Sequence, residues 1–135
     1  MQWKWWISTL IVLAAFSCKN KSETLEEEIA IPEDFYSFYD RFHTDSLFQM
    51  DHILFPLAGV PAEVELRNED WTWNRESWMM HHTFDDKGTF NRNWYAINSV
   101  IIEKISDSSG RFTMERRWTK MGSEWTLIYY KEMGM

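Results

Sequence analysis

The amino-acid sequence predicts an α+β fold in which N-terminal helices pack on an antiparallel sheet. Aromatic residues recur at helical spacing near the start of the chain, between residues 35 and 42. From residue 51 onward, several segments alternate apolar and polar residues, as half-buried strands do. Turn-forming residues separate the later segments. Helices followed by a run of strands are typical of the α+β class.

Two helices are predicted before residue 51. Pro32 suits the first position of a helix, and the following Glu33 and Asp34 would stabilise the positive end of its dipole. Thr44-Asp45-Ser46 supplies capping side chains for a second, short helix that runs to Met50. The first helix has one aromatic face, at positions i, i+3, i+4 and i+7, formed by Phe35, Phe38, Tyr39 and Phe42.

Alternation then predicts a hairpin and a series of longer strands. Residues 51–57 and 62–67 form the hairpin, with Ala58-Gly59-Val60-Pro61 as its loop, whereas residues 68–77 fit either an irregular turn or a short helix. The remaining strands are predicted at Trp78–Phe84, Trp94–Ile105, Arg111–Lys120 and Trp125–Lys131. The turns between them are predicted at residues 85–88, 107–110 and 121–123.

The first residues have the order of a signal peptide. Lys4 precedes an uncharged run of 13 residues, Trp5 to Ser17, and Cys18 follows at once. This run is too short for a spanning helix, which needs about 20 apolar residues. Ala15-Phe16-Ser17-Cys18 resembles the lipobox of bacterial lipoproteins. That resemblance implies cleavage before Cys18 and lipid on this cysteine, and an ordinary secretory signal with an incidental cysteine is the alternative.

The segment after Cys18 predicts a solvated tether. Residues 19–28 are polar and too poor in apolar side chains to fold, and Cys18 is the only cysteine, so no internal disulfide can form. The expected organisation is a leader at 1–17, a lipid-anchored tether at 18–30 and one domain at 31–135. We expect an exported protein in the cell envelope, with the outer membrane favoured over the inner one. Lys19 suits surface display in Bacteroidota but Asn20 and Lys21 do not, so both the periplasmic and the surface orientation stay open.

Charge and motifs exclude several functions. Without Lys4, 13 basic residues stand against 21 acidic ones, which argues against nucleic-acid binding because phosphates require basic surface. The sequence has no Gly-rich phosphate loop, nucleophile elbow or zinc-ligand spacing. No metal or cofactor is therefore predicted.

Two polar residues are predicted to point inward from strands. His82 shares a face with Trp78, Met80 and Phe84, and Arg116 shares one with Phe112, Met114 and Trp118. Such buried groups need partners. They either complete the core, with a carboxylate such as Asp51, or belong to a site in which Tyr95 or Arg116 would steer an anion.

Six tryptophans follow residue 30 and admit three interpretations. They fill the core of a small domain, they line a pocket, since ligand sites are concave and rich in aromatic residues, or they mark a protein interface. The six are Trp71, Trp73, Trp78, Trp94, Trp118 and Trp125.

The order of elements between Pro32 and Lys131 resembles the nuclear transport factor 2-like cone. The segments DSLFQMDHILFPL and FTMERRWTKMGSEWTLIYYKE also resemble an uncharacterised family of Bacteroidota lipoproteins with that fold. The resemblance implies a strongly bent sheet that wraps a helix and leaves a cavity. In cone-fold enzymes a carboxylate, Tyr or His in the cavity transfers protons, and cone folds often dimerise through the sheet.

Three functions follow as hypotheses. The first is a non-catalytic binding or assembly module for a small apolar ligand, a glycan or a protein partner. The alternative is an isomerase, dehydratase or hydrolase with His82 or Asp51 as general base. The third is a structural protein that forms a homodimer through an exposed sheet face.

Overall fold

The computed structural model describes residues 30–84 and 88–135. The predicted leader, most of the tether and most of the turn at 85–88 lie outside these residues. Two helices and six strands form the fold, together with two single-turn 3-10 helices at Val64–Leu66 and Arg75–Ser77. The elements are α1 (Glu33–Thr44), α2 (Ser46–Asp51), β1 (Ile53–Val60), β2 (Thr72–Trp73), β3 (Phe90–Ile97), β4 (Val100–Asp107), β5 (Thr113–Met121) and β6 (Glu124–Gly134).

All six strands belong to one curved sheet, in the order β2-β1-β6-β5-β4-β3. β1 runs parallel to β6, and every other neighbouring pair is antiparallel. The sheet is therefore mixed, with long antiparallel strands at its centre. This arrangement confirms the predicted α+β class.

The two predicted helices are present. Pro32 immediately precedes α1, and its carbonyl oxygen accepts a hydrogen bond from the amide of Phe35. The side chain of Asp45 caps α2 by accepting from the amide of Phe48 at 3.0 Å. The aromatic face of α1 packs on the concave face of the sheet. The ring centroids of Phe42 in α1 and Trp118 in β5 are 4.8 Å apart there.

The predicted hairpin at 51–67 is wrong in its second strand. β1 forms, but residues 62–67 do not pair with it, and the side chains of Val64 and Leu66 are exposed. Arg67 donates to the carbonyl oxygens of Pro61 and Ala62, which holds this segment in a compact loop. β1 pairs instead with β2 and β6. Residues 68–77, left open by the sequence, contain β2 and one 3-10 turn.

Two other strand predictions need correction. The segment 94–105 is not one strand, because Asn98 and Ser99 adopt positive φ angles of 48° and 66° and turn the chain between β3 and β4. Residues 78–84 have no strand pairing. The predictions for β5, β6 and the turns that contain Gly110 and Gly122 are confirmed, and both glycines have a positive φ.

The core lies between α1 and the concave face of the sheet. Within residues 30–84 and 88–135, none of the helices has the length and apolar character that a membrane crossing requires. The clustered core side chains are those of Phe35, Phe38, Tyr39, Phe42, Ile53, Leu57, Trp78, Ile101, Trp118, Trp125 and Leu127.

Candidate functional site

A buried ion pair lies on the concave face, where polar residues interrupt the apolar core. Glu103 of β4 and Arg116 of β5 are direct cross-strand partners, with 0% and 2% of their surface exposed. The Glu103 Oε2 atom accepts from Nε of Arg116 at 2.7 Å and also lies 2.7 Å from its Nη2 atom. Because a buried charge is costly without a partner, each side chain depends on the other.

α1 adds a phenol to this pair. The hydroxyl of Tyr39 donates to Oε1 of Glu103 at 2.6 Å and accepts from Nη2 of Arg116 at 2.9 Å. Burial raises the pKa of Tyr39 well above its usual value. Arg92 of β3 approaches the group from the side, with its Nη1 atom 3.8 Å from Oε1 of Glu103. Because its pKa is raised, the phenol of Tyr39 remains neutral and acts only through hydrogen bonds.

His43, one helical turn after Tyr39, completes the buried part of the network. Its Nε2 lies 2.7 Å from Nη1 of Arg116, and its Nδ1 lies 2.7 Å from the carbonyl oxygen of Tyr39. Since arginine can only donate, Nε2 must be the acceptor and Nδ1 must carry the proton. Burial and, secondarily, the Arg116 guanidinium lower the pKa of His43 to about 4. The imidazole is thus neutral at ordinary pH.

His81 brings the network to a cavity. Its Nδ1 accepts from Nη1 of Arg116 at 3.2 Å, and burial followed by the charge of Arg116 lowers its pKa to about 2. The ring packs between those of Trp78 and Tyr130, with centroid distances of 4.6 and 4.5 Å. Because Nδ1 accepts from Arg116, the proton of the neutral His81 ring is on Nε2. This Nε2 atom has no hydrogen-bond partner among the described residues.

Gln49 of α2 determines where His81 lies. The Gln49 side chain is 1% exposed and makes four hydrogen bonds. Its Oε1 accepts from the His81 amide at 2.9 Å and from the indole of Trp78 at 3.1 Å. Its Nε2 donates to the carbonyl oxygens of Phe42 and His81. One amide thereby attaches the irregular segment to both helices.

The cavity at the network has a volume of about 330 Å³. Its polar wall is made by Arg116, His81 and His82, and its other walls are largely apolar. The remaining lining residues are Met80, Thr83, Phe84, Ile105, Met114 and Tyr130.

Of the predicted site residues, Arg116 and His82 line this cavity and Trp78 lies beside it. Arg116 points inward, as the alternation of β5 predicts. Trp118 is buried in the core, and Trp78 lines a neighbouring cavity. The inward placement of His82 needs correction: its side chain is exposed at the cavity rim, and His81 is the inner histidine. The reason is that residues 78–84 follow no strand, so period-2 alternation does not apply to them.

Asp51 and Tyr95 are not part of the network. The side chain of Asp51 is 74% exposed and pairs with Arg75 at 3.7 Å. Tyr95 is 40% exposed, on the face of β3 opposite Arg92 and Trp94. Tyr39, His43 and Glu103 belong to the network but were not predicted as site residues from the sequence. A detectable signal for Glu103 is its position between Ile101 and Ile105, which makes it an acid flanked by apolar residues on one strand face.

What the network can offer a ligand follows from its hydrogen bonds. Arg116 uses the lone pairs of both His43 and His81, so neither imidazole has a free basic nitrogen, and the phenol of Tyr39 is held neutral. What His81 offers a ligand is one N–H donor. In the described parts of the chain, no three His, Cys, Asp or Glu side chains are grouped closely enough to hold a metal.

The stability of the protein should fall on acidification. The unfolded chain binds protons at these two imidazoles as the pH falls through about 6.5, whereas folded His43 and His81 resist protonation down to about 4 and about 2. Their contribution is thus complete above the unfolded pKa and is lost below it. The slope approaches about 1.4 kcal/mol per pH unit for each imidazole.

Urea unfolding at a series of pH values between about 7 and 5 measures this slope. In His43→Gln the slope should be smaller, because one of the two imidazoles is gone while the amide oxygen can still accept from Arg116. An unchanged slope in that variant would contradict the assignment.

Comparison with known proteins identifies the fold. An NTF2-like protein from Bacteroides fragilis matches 78% of this chain with a TM-score of 0.52 and 19% sequence identity. This chain spans 49% of the length of that protein. An NTF2-like protein of unknown function from Shewanella baltica matches 76% of this chain and 90% of its own, with a TM-score of 0.42 and 15% identity. No family model and no curated protein matches the sequence.

The chain therefore has the nuclear transport factor 2-like fold, an α+β cone with a curved sheet. This fold includes both binding modules and enzymes. Because fold alone does not define function, the role of this chain must be argued from its cavity.

Proposed function

We propose that this chain is a non-catalytic binding module of the bacterial cell envelope, with the cavity at His81 and Arg116 as its ligand site. One observation carries the proposal. An open cavity of about 330 Å³ ends on a buried network whose basic nitrogens are all occupied. The buried network can therefore donate a hydrogen bond to an acceptor and offers no free basic nitrogen of its own, whereas His82, the outer imidazole of the cavity, lies exposed at its rim.

The cavity walls define the ligand class. Its volume lies at the lower end of the range for small-molecule pockets, roughly 300–1,000 Å³, and Phe84, Ile105 and Met114 supply apolar surface. The Nε2–H group of His81 is available to one acceptor. We infer a small, mostly apolar ligand with a carbonyl or similar oxygen at one end. The alternative, an enzyme with His82 or Asp51 as general base, is less well supported, since His82 lies at the exposed rim of the cavity and Asp51 lies outside it and pairs with Arg75.

A pair of matched probes tests this function. The sheet, the core and the network all lie within residues 30–135, so a fragment of that length suffices once its circular dichroism shows a folded protein. 2-Acetylnaphthalene should bind more tightly than 2-ethylnaphthalene, by about fivefold, because only the ketone can accept from His81. Fluorescence titration measures both affinities, and His81→Phe should remove the difference.

Two substitutions by tryptophan test whether the probes bind in this cavity. Met114→Trp fills the cavity and should abolish binding of both probes. Ile102→Trp, on the opposite face of the neighbouring strand β4, is the matched control and should bind as the parent protein does. If folded Met114→Trp binds the probes as well as Ile102→Trp does, the cavity is not the site.

We further propose that the chain is anchored in the membrane by lipid on Cys18. The support is the order of Lys4, the uncharged run and Cys18 in the sequence, followed by a polar tether. Metabolic labelling with an alkyne analogue of palmitate should mark the parent protein and not Cys18→Ser. Equal labelling of the two, or cleavage at another position by mass spectrometry of the N-terminus, would contradict this proposal.

A further inference from the structure

A second cavity, of about 230 Å³, lies next to the first behind His81 and Met80. Three aromatic rings line it, contributed by Trp73 of β2, Trp78 and Tyr130 of β6. The carboxylate of Glu132 lines it as well. Three rings and one acid around a small space form an arrangement that a purely structural core does not require. We call this group the aromatic cage.

The rings of the aromatic cage face in different directions. Trp73 and Trp78 are nearly perpendicular, at 85° with centroids 6.3 Å apart, and Trp78 meets Tyr130 at 76° and 5.6 Å. Trp73 and Tyr130 are 5.1 Å apart and inclined at 43°. Rings set at such angles present π surface to one enclosed group from several sides. The negative face of each ring attracts a cation within about 6 Å.

The two indole N–H groups of the cage are not available to a ligand. The indole nitrogen of Trp73 donates to the carbonyl oxygen of Tyr130 at 2.9 Å, and that of Trp78 donates to Gln49. Both indole donors are therefore used inside the protein. The two tryptophans can offer a ligand their ring faces but no hydrogen bond.

Glu132 supplies the charge. Its Oε2 accepts from the amide of Ala62 at 2.8 Å, and its Oε1 has no hydrogen-bond partner in the described part of the chain. The nearby Arg67 donates to the carbonyl oxygens of Pro61 and Ala62, and no ion pair joins it to Glu132. The cage thus combines one carboxylate with three electron-rich rings, and His81 at its edge is neutral.

We propose that the aromatic cage binds a small quaternary ammonium cation. A quaternary ammonium has no N–H donor to satisfy, is only weakly hydrated and is attracted both by ring faces and by a carboxylate. This is a second site, distinct from the cavity at Arg116. It shares with that cavity only the wall formed by His81, Met80 and Tyr130.

Choline and its neutral carbon isostere, 3,3-dimethylbutan-1-ol, test the proposal on the full chain in a non-ionic detergent. Calorimetry should show saturable choline binding. A parallel titration should show a change in tryptophan fluorescence, because two indoles line the site. The isostere has the same shape without the charge and should bind at least about tenfold more weakly. Equal affinities, or no choline binding by protein that circular dichroism shows to be folded, would overturn the proposal.

Variants separate the cage from other acids and from the first cavity. Glu132→Gln keeps the acceptor for Ala62 and removes the charge, so choline affinity should fall by about tenfold. Glu69→Gln, at an exposed acid outside the cage, is the matched control and should bind as the parent does. Met114→Trp should retain choline binding even though it fills the first cavity. Loss of binding in Glu69→Gln, unchanged binding in Glu132→Gln, or binding of N-acetylglucosamine in place of choline would overturn the assignment.

Discussion

Replacing Glu103 by glutamine should lower the free energy of unfolding by roughly 3 to 5 kcal/mol. The carboxylate is completely buried, accepts one hydrogen bond from Arg116 and one from Tyr39, and lies 2.7 Å from a second guanidinium nitrogen. The amide keeps the shape but loses the charge, so the guanidinium of Arg116 is left buried without a counter-ion. Its NH₂ group also adds a donor to a site that needs acceptors. Urea unfolding followed by tryptophan fluorescence measures the loss.

Glu115→Gln is the matched control for this change. Glu115 lies on β5 next to Arg116 but on the other face, and its ion pair with Arg117 is partly exposed. Its loss should cost less than about 1 kcal/mol. Glu103→Leu combined with Arg116→Met should be less destabilised than Glu103→Leu alone, since no unpaired charge remains. A Glu103→Gln protein as stable as Glu115→Gln would show that the buried pair contributes little.

Gly59→Ala should lower the free energy of unfolding by about 3 kcal/mol or more. A Cβ atom at this position would overlap the carbonyl oxygen of Tyr130 and lie 2.5 Å from Nε1 of Trp73. The obstacle is backbone, so no side-chain rotation relieves it. The parallel contact between β1 and β6 must open, and the hydrogen bond from Trp73 to Tyr130 must break.

Gly88→Ala is the control, because its added Cβ would meet the ring of Phe90 at an ordinary contact distance of 3.5 Å. We expect a change of no more than about 0.5 kcal/mol for Gly88→Ala. Chemical denaturation of both variants provides the comparison. If Gly59→Ala unfolds at the parent midpoint, β1 and β6 do not approach as closely as described.

Local patterns were sufficient for the elements whose partners lie close in the chain. The aromatic face of α1 identifies itself by spacing, and β5 and β6 are joined by a short turn at Gly122. The prediction of a second hairpin strand at residues 62–67 was wrong for the opposite reason. β1 takes its main partner from β6, about 70 residues later, and adjacent segments carry no information about such a choice.

The candidate site was predictable only where a regular strand supports it. Arg116 was predicted to point inward because buried and exposed side chains alternate along β5. The same alternation along β4 could have identified Glu103. His81 and His82 were exchanged because their segment has no period. Its course depends on three hydrogen bonds to Gln49, a residue that the sequence presents only as one polar position in a short helix.

The amide of Gln49 couples the two cavities mechanically. The segment around His81 is a wall of both cavities, and the side chain of one glutamine attaches it to the helices. A substitution that removes these hydrogen bonds would move this shared wall and would therefore change the shape of both cavities at once. Their shape depends on Gln49, a residue that lines neither of the two.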